Sequence, residues 1–154
     1  MYEKDYLLRI AQSVARVIAQ VIYRKNIQDY QGALSLIDEQ FRQTLGMGLG
    51  FIHSIPEETL LSLLTLLGSL DTEKCWLVAT LLKAEGEIYE AQGDPDEAYY
   101  SYLKSLHLFL AVLLEAHHID TFPEVEQLLN KLEAYNLPEQ TNAMIFQYYE
   151  KTGR

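Results

Sequence analysis

The segment Gly93-Asp94-Pro95 interrupts a long stretch of helical periodicity and so limits how the residues on either side of it can fold. Glycine readily ends a helix in the left-handed conformation, whereas Asp followed by Pro caps and starts one. Small and aromatic residues recur at helical spacing on both sides, including Gly86 before the break and Tyr102 after it. This pattern predicts two helices that fold back on each other as an antiparallel hairpin, with small residues opposite large ones.

The other three prolines also stand at predicted helix starts. Pro56, Pro123 and Pro138 each follow a potential capping residue and an apolar residue, and each is followed by glutamate, which is the capping-box pattern with a first-turn proline. Together with the apolar periodicity, these signals predict an all-α fold of about seven helices. The predicted helices span residues 3–25, 29–45, 56–67, 71–92, 95–117, 122–135 and 138–152. The glycine-rich segment 46–53 is expected to be a loop, and no alternating pattern predicts a strand.

The composition is typical of a single globular domain over residues 1–154. Hydrophobic residues make up 49% of the chain and charged residues 22%, so we expect a packed core. The apolar runs 60–67 and 106–114 are too short to cross a membrane. The single cysteine, Cys75, and the lack of an apolar leader favour a cytoplasmic location. The net charge of −10 argues against nucleic acid as a partner, because phosphate binding needs clustered Lys and Arg.

The predicted hairpin carries an ordered set of residues, namely Leu82, Gly86, Tyr89, Gly93, Asp94, Ala98 and Tyr102. Over residues 79–112, this order and spacing resemble the tetratricopeptide repeat, a helix–turn–helix unit of ~34 residues. Segments 3–45 and 138–154 resemble a degenerate hairpin and a terminal half repeat, and the whole chain is similar to small tetratricopeptide-like bacterial proteins of unknown function. The resemblance implies a right-handed stack of helical hairpins with a protein-interaction or scaffolding role, and it implies no activity.

The clear repeat departs from the family pattern at two positions that bear on function. Glu85 stands where an aliphatic residue is usual, and Ser105 replaces an expected alanine. Because Glu85 lies beside the packed stripe of its helix, it is a candidate for a buried carboxylate with a polar partner. A structural role for this carboxylate is favoured over a catalytic one.

The inner face of the predicted repeat is the first candidate for partner binding. It carries Thr80, Lys83, Glu87, Glu90 and Ala91, and residues 71–100 as a whole are strongly acidic. The charge pattern favours a basic peptide or helix as the ligand.

Neighbouring tyrosines give a second candidate contact surface. Tyr99, Tyr100 and Tyr102 cannot all point the same way on a helix, and Tyr102 belongs to the hairpin stripe. Tyr99 and Tyr100 therefore either pack against the next helix or contact a partner, for which tyrosine is well suited.

The last predicted helix suggests self-association. Ile145, Phe146 and Tyr149 form an apolar face that no later helix of this sequence covers. A terminal repeat helix needs a polar cap or a partner for such a face. We expect a homodimer through these residues, and the alternative is a monomer in which this helix packs back on residues 122–135.

The sequence identifies no catalytic residue, metal ligand or cofactor, although two alternatives to the interaction role remain. Glu115 and His118 have the Glu-x-x-His spacing of di-iron bundles, but such a site needs a second copy, and His117 and His118 suit the capping of a helix end. Cys75 continues an apolar stripe, which favours a buried, inert thiol. One alternative is thus a metal-binding or enzymatic helical core. The other is a peripheral membrane protein that uses helix 3–25, whose arginine-bearing face suits anionic lipid.

Overall fold

The computed structural model describes residues 2–66, 68–115 and 119–153, within which eight α-helices pack against one another. The helices are α1 (Tyr2–Asn26), α2 (Tyr30–Leu45), α3 (Leu49–Ser54), α4 (Glu57–Leu63), α5 (Thr72–Ala91), α6 (Pro95–Leu113), α7 (Pro123–Lys131) and α8 (Glu139–Thr152). Two short strands, β1 (Thr65–Leu66) and β2 (Ser69–Leu70), pair antiparallel between α4 and α5. The all-α class is confirmed. The expected count of about seven helices is wrong, because the segment predicted as a loop contains most of α3.

Three predicted helices end earlier than expected. Predicted helix 56–67 stops at Leu63, after which the chain turns through Gly68, whose φ is 81°. The backbone N–H of Asp71 then donates to the carbonyl of Leu64 at 2.8 Å and closes the turn. Predicted helix 95–117 ends at Leu113, and predicted helix 122–135 ends at Lys131. Apolar residues continue past all three ends, which is why the sequence overestimated these helices.

Aspartates, rather than capping boxes, cap α2, α5 and α6. The side chains of Asp29, Asp71 and Asp94 accept hydrogen bonds from backbone N–H groups in the first turns of α2, α5 and α6. The capping boxes expected before α4, α7 and α8 are absent, because Pro56, Phe122 and Pro138 occupy the N-cap positions and form no side-chain cap hydrogen bond. Pro95 and Pro123 stand in the first turn as predicted.

The break between α5 and α6 has the expected conformation. Gly93 has a φ of 79°, and the N–H of Asp94 donates to the carbonyl of Tyr89 at 2.9 Å. Ser105 Oγ donates to the carbonyl of Ala79 at 2.7 Å. Tyr89 and Asp94 are hydrogen-bonded beside the turn, and Ala79 and Ser105 are hydrogen-bonded farther from it on either side. Helices α5 and α6 therefore run antiparallel.

Close packing between α5 and α6 depends on a glycine. The Tyr102 ring occupies the space beside Gly86, where an added Cβ would lie 2.5 Å from ring atom Cε1. Ala98 is also buried in this contact region. The small-against-large packing predicted from the sequence is therefore confirmed.

The remaining helices surround this central pair. Helix α5 contacts α1 and α2, whereas α6 contacts α4, α7 and α8. The fully buried side chains include Ile37 of α2, Leu82 of α5 and Phe109 of α6. In the part of the chain that the structure describes, no helix has both the length and the apolar character needed to cross a membrane.

Candidate functional site

A groove with a volume of about 330 Å³ lies where α1, α5 and the start of α7 meet. Its apolar lining comprises Ile18, Ile22, Trp76, Ala84, Phe109 and Phe122. The Trp76 ring stands edge-on to Phe109 and Phe122, with centroid distances of 4.7 and 4.6 Å. Ile22 is 48% exposed at this groove. The groove thus has an aromatic floor and an accessible aliphatic wall.

Two of the predicted partner-binding residues, Lys83 and Glu87, line this groove together with Thr80 and Glu124. Lys83 Nζ lies 3.9 Å from Glu87 Oε2, one helical turn away. Because this pair is close to neutral, the carboxylate of Glu124 gives the lining an excess of negative charge.

Glu90, the third charged residue predicted for this surface, is engaged elsewhere. Its Oε1 accepts hydrogen bonds from the hydroxyl of Tyr102 at 2.8 Å and from Nζ of Lys131 at 2.7 Å. Partial burial raises the pKa of Glu90, but the hydrogen bonds from Lys131 and Tyr102 outweigh it, so the pKa lies below its ordinary value. Glu90 joins the α5–α6 hairpin to the end of α7 and does not line the groove.

The two predicted contact tyrosines lie on a different face of α6. The centroid of the Tyr99 ring lies 4.6 Å from the centroid of the Tyr135 ring and 5.2 Å from that of the Tyr100 ring. Tyr100 is 55% exposed. Tyr99 therefore packs within the chain, and both tyrosines line cavities described below. The structure does not bring these residues together with Lys83 and Glu87.

Glu85 is fully buried and has two polar partners, which confirms its interpretation as a buried carboxylate. His53 Nε2 lies 2.9 Å from Glu85 Oε2, and Ser101 Oγ donates to Glu85 Oε1 at 2.6 Å. Because a carboxylate only accepts hydrogen bonds, the Nε2–H of His53 is the donor. Glu85 thus ties α3 and α6 to α5.

A cavity of about 320 Å³ lies beside this cluster, lined by His53, Glu97, Tyr100, Ser101 and Lys104. A second cavity, of about 350 Å³, shares His53, Tyr100 and Lys104 with it. The second cavity extends along the α3–α4 connection to Glu57 and Pro138. The two cavities together follow one face of α6.

Lys104 is the least expected member of this lining. It is 6% exposed, and within the described residues it forms no hydrogen bond or ion pair. Burial lowers the pKa of the Lys104 ammonium, and the carboxylates of Glu85, Glu57 and Glu97 act in the opposite direction. Buried cations are normally paired or hydrogen-bonded, which makes this amine a candidate ligand-binding group.

The cluster contains a serine, a histidine and an acid, but their connections differ from those of a nucleophilic triad. A triad needs the serine hydroxyl bonded to the histidine, which then takes its proton. Here the Ser101 hydroxyl donates to Glu85, and His53 donates separately to the same carboxylate. The arrangement therefore supports binding better than acyl transfer.

Neither His53 nor Lys104 was predicted from the sequence to be a site residue. His53 lies in the segment predicted as a loop, so nothing indicated its position relative to Glu85. The sequence did contain a signal for Lys104, because this residue is the one lysine or arginine within residues 101–110, all of which are buried. A lysine at a position that periodicity assigns to the core indicates either a partner or a cavity.

The structure also tests whether Cys75 has a reactive thiol and whether side chains are grouped to bind a metal. Cys75 is fully buried, and burial, assisted by the Asp71 charge, raises the pKa of its thiol to about 12, which confirms the inert interpretation. His117 and His118 lie outside the described residues. Among the described residues, no three His, Cys, Asp or Glu side chains are grouped as metal ligands.

Fold and surfaces together define an all-α protein with an acidic aromatic groove on one face and a polar cavity on another. No family model matches the chain, and neither the curated proteins nor the solved structures include a match.

His53, which is partly exposed, and His107, which is buried, are expected to give opposite pH dependences of stability. The hydrogen bond to Glu85 raises the pKa of His53 above its ordinary value of 6.5, against the effect of burial and the Lys104 charge and with the help of Glu97. Burial lowers the pKa of His107, whose Nδ1 lies 3.1 Å from Thr141 Oγ1, while Glu57 and Glu58 oppose this shift. His53 therefore stabilises the fold below pH 6.5 and loses this effect as pH rises through its folded pKa. For His107, stability is present above pH 6.5 and falls as pH decreases toward its folded pKa.

Urea unfolding of His53→Gln and His107→Gln across this pH range tests the expectation. The stability difference between wild type and His53→Gln should be larger at the acidic end. His107→Gln should instead be less sensitive to acid than wild type. If both variants follow the wild-type pH profile, these histidines do not have shifted pKa values in the folded state.

Proposed function

We propose that this chain is a protein-interaction module with tetratricopeptide-like architecture, and that its groove holds a basic amphipathic segment of a partner protein. The observation that supports this most directly is the groove itself, in which an aromatic floor lies beside the carboxylates of Glu87 and Glu124. We call this surface the binding groove, and it is lined by Ile18, Ile22, Trp76, Thr80, Lys83, Ala84, Glu87, Phe109, Phe122 and Glu124.

The architecture supports a repeat-type scaffold. In the proposed arrangement, α1–α2 is a degenerate hairpin, α5–α6 the clear repeat and α8 the terminal half repeat of a right-handed stack. Helix α5 contacts both helices of the first hairpin, as an inner helix of a stacked repeat would. Solenoids of this kind use the concave surface that their inner helices form for binding.

Two physical terms favour the proposed ligand. An apolar side chain placed against Trp76 and Ile22 would remove accessible hydrophobic surface from water, and tryptophan is frequent among residues that dominate binding energy. Lysine or arginine side chains flanking that anchor would lie near Glu87 and Glu124, where charge complementarity speeds association and sets the register. An acidic segment would be repelled by the excess negative charge that Glu124 gives the lining.

A matched pair of helical peptides tests the proposed function. Both carry the same apolar residues, and one has lysines where the other has glutamates. By fluorescence anisotropy, the lysine peptide is expected to bind and the glutamate peptide to bind far more weakly. Ile22→Ser should weaken the lysine peptide about tenfold, because it removes the apolar wall of the groove.

Ile27→Ser is the matched control for this experiment. Ile27 is also exposed, but it lies just beyond α1 and outside the binding groove. The control should bind the lysine peptide as wild type does. Equal binding of the two peptides, or equal losses in Ile22→Ser and Ile27→Ser, would show that the groove is not the binding surface.

A further inference from the structure

The cavity beside Lys104 has a charge pattern distinct from that of the binding groove. A cation and an anion of the same helix, Lys104 and Glu97, both line it. They are seven residues apart on α6, which places them two turns, or about 10.5 Å, apart along the helix axis. Tyr100 and Ser101 lie between them. One wall of the cavity therefore presents opposite charges at its two ends.

The Lys104 ammonium is the strongest reason to expect a ligand. Only 6% of this residue is exposed, and within the described part of the chain its donors have no hydrogen-bond acceptor. Among the described residues, no fully enclosed side-chain nitrogen lacks a partner, so the Lys104 ammonium must be accessible from the cavity that it lines. A ligand oxygen in the cavity could accept a charge-assisted hydrogen bond from it. The cavity volume of about 320 Å³ is near the lower end of ligand pockets and suits a small molecule.

The surrounding charges limit what the ligand can be. A simple anion would meet Lys104 but also the carboxylates of Glu97 and Glu85, which act on this lysine from α6 and α5. A simple cation would be repelled by the Lys104 ammonium. A molecule that carries both charges at opposite ends matches both ends of the wall without adding net charge.

We propose that this cavity binds a small zwitterion, whose carboxylate accepts hydrogen bonds from Lys104 and whose ammonium lies against Glu97 and the ring of Tyr100. An aromatic face attracts a cation, and a carboxylate bonded to an ammonium is among the stronger hydrogen-bonded pairs in proteins. Ligands of this class are short ω-amino acids. α-Amino acids carry both charges on one carbon and would not span the wall.

Three probes of the same chain length separate the two ends of the ligand: δ-aminovalerate, valerate and pentylamine. In NMR titrations of the full chain, δ-aminovalerate is expected to give saturable shifts at Tyr100, Ser101 and Lys104. Valerate and pentylamine each lack one charged contact and should bind about tenfold more weakly.

Variants assign the two ends. Lys104→Met keeps a long side chain without charge and should weaken δ-aminovalerate about tenfold or more without weakening pentylamine. Glu97→Gln, at an exposed position, should weaken δ-aminovalerate and pentylamine but not valerate. Asp96→Asn removes a neighbouring exposed acid that does not line the cavity, and it should have no effect.

Three results would overturn the proposal: no saturable shifts with δ-aminovalerate, binding of valerate as tight as that of δ-aminovalerate, or binding that Glu97→Gln leaves intact. If Lys104→Met fails to fold by circular dichroism, the probe series and Glu97→Gln still decide the question.

Discussion

Gly86→Leu is expected to unfold the domain or to lower its stability severely. A Cβ at this position would lie 2.5 Å from the Tyr102 ring, and leucine adds three further carbons in the same direction. The ring cannot easily withdraw, because its hydroxyl donates to Glu90 and the residue is buried between α5 and α6. Overpacking a close contact typically costs ~1 to 3 kcal/mol and occasionally more, which is a large part of the ~5 to 15 kcal/mol that holds a typical domain folded.

Thermal and urea unfolding measure this effect, with Ala91→Leu as the matched control. Ala91 lies on the same helix but is exposed, so its replacement should change stability by no more than about 0.5 kcal/mol. Gly86→Ala gives an intermediate case. Alanine favours a helix by roughly 0.5 to 1 kcal/mol over glycine, yet we expect a net loss because even one Cβ overlaps the ring. Equal unfolding midpoints for Gly86→Leu and Ala91→Leu would show that the two helices are not in close contact at this point.

The helical hairpin could be predicted from sequence because its determinants are local. Gly93 and Asp94 specify the break within two residues, and Gly86 and Tyr102 complement each other across it. Helix α3 could not be predicted in the same way. It has six residues and lies within a segment that contains several glycines, so its stability depends on tertiary contacts rather than on propensity.

The polar cavity was only partly accessible to sequence reasoning. Glu85 stood out because a carboxylate replaced an expected aliphatic residue within a packed stripe. Its partner His53 is 32 positions away, and only the packing of α3 beside α5 brings the two together. Sequence patterns report the need for a partner at such a position, whereas the identity of the partner depends on the tertiary fold.

The two tyrosines of α8 show why an apolar helix face is difficult to assign from periodicity alone. Tyr149 was predicted to form the uncovered face, yet it is partly buried against the core together with Ile145. The neighbouring Tyr148 is fully buried, donates its hydroxyl proton to Glu126 at 2.7 Å and accepts from the N–H of Phe122 at 2.9 Å. Helix α8 therefore already packs one side within the chain.

A homodimer through Phe146 of α8 remains our prediction for the other side of this helix. Phe146 is 64% exposed, with Ile145 beside it only partly covered. Burying a phenylalanine side chain at an interface contributes roughly 1.5 to 3 kcal/mol per protomer, so the contact would be sensitive to one charge. Light scattering is expected to give a dimer mass for the wild type and a monomer mass for Phe146→Glu.

Gln147→Glu is the control that separates loss of the apolar contact from the added negative charge. Gln147 is the next residue along α8 and is exposed, so the control adds the same charge to the same part of the helix. Phe146→Glu should stay folded and show a cooperative thermal transition, because Tyr148 and Thr141, the buried residues of α8, are unchanged. A wild type that is monomeric at high micromolar concentration would contradict the dimer. Equal dissociation of Phe146→Glu and Gln147→Glu would attribute the effect to the net charge of α8 and not to the Phe146 contact, since only the substitution at Phe146 removes apolar surface from the interface.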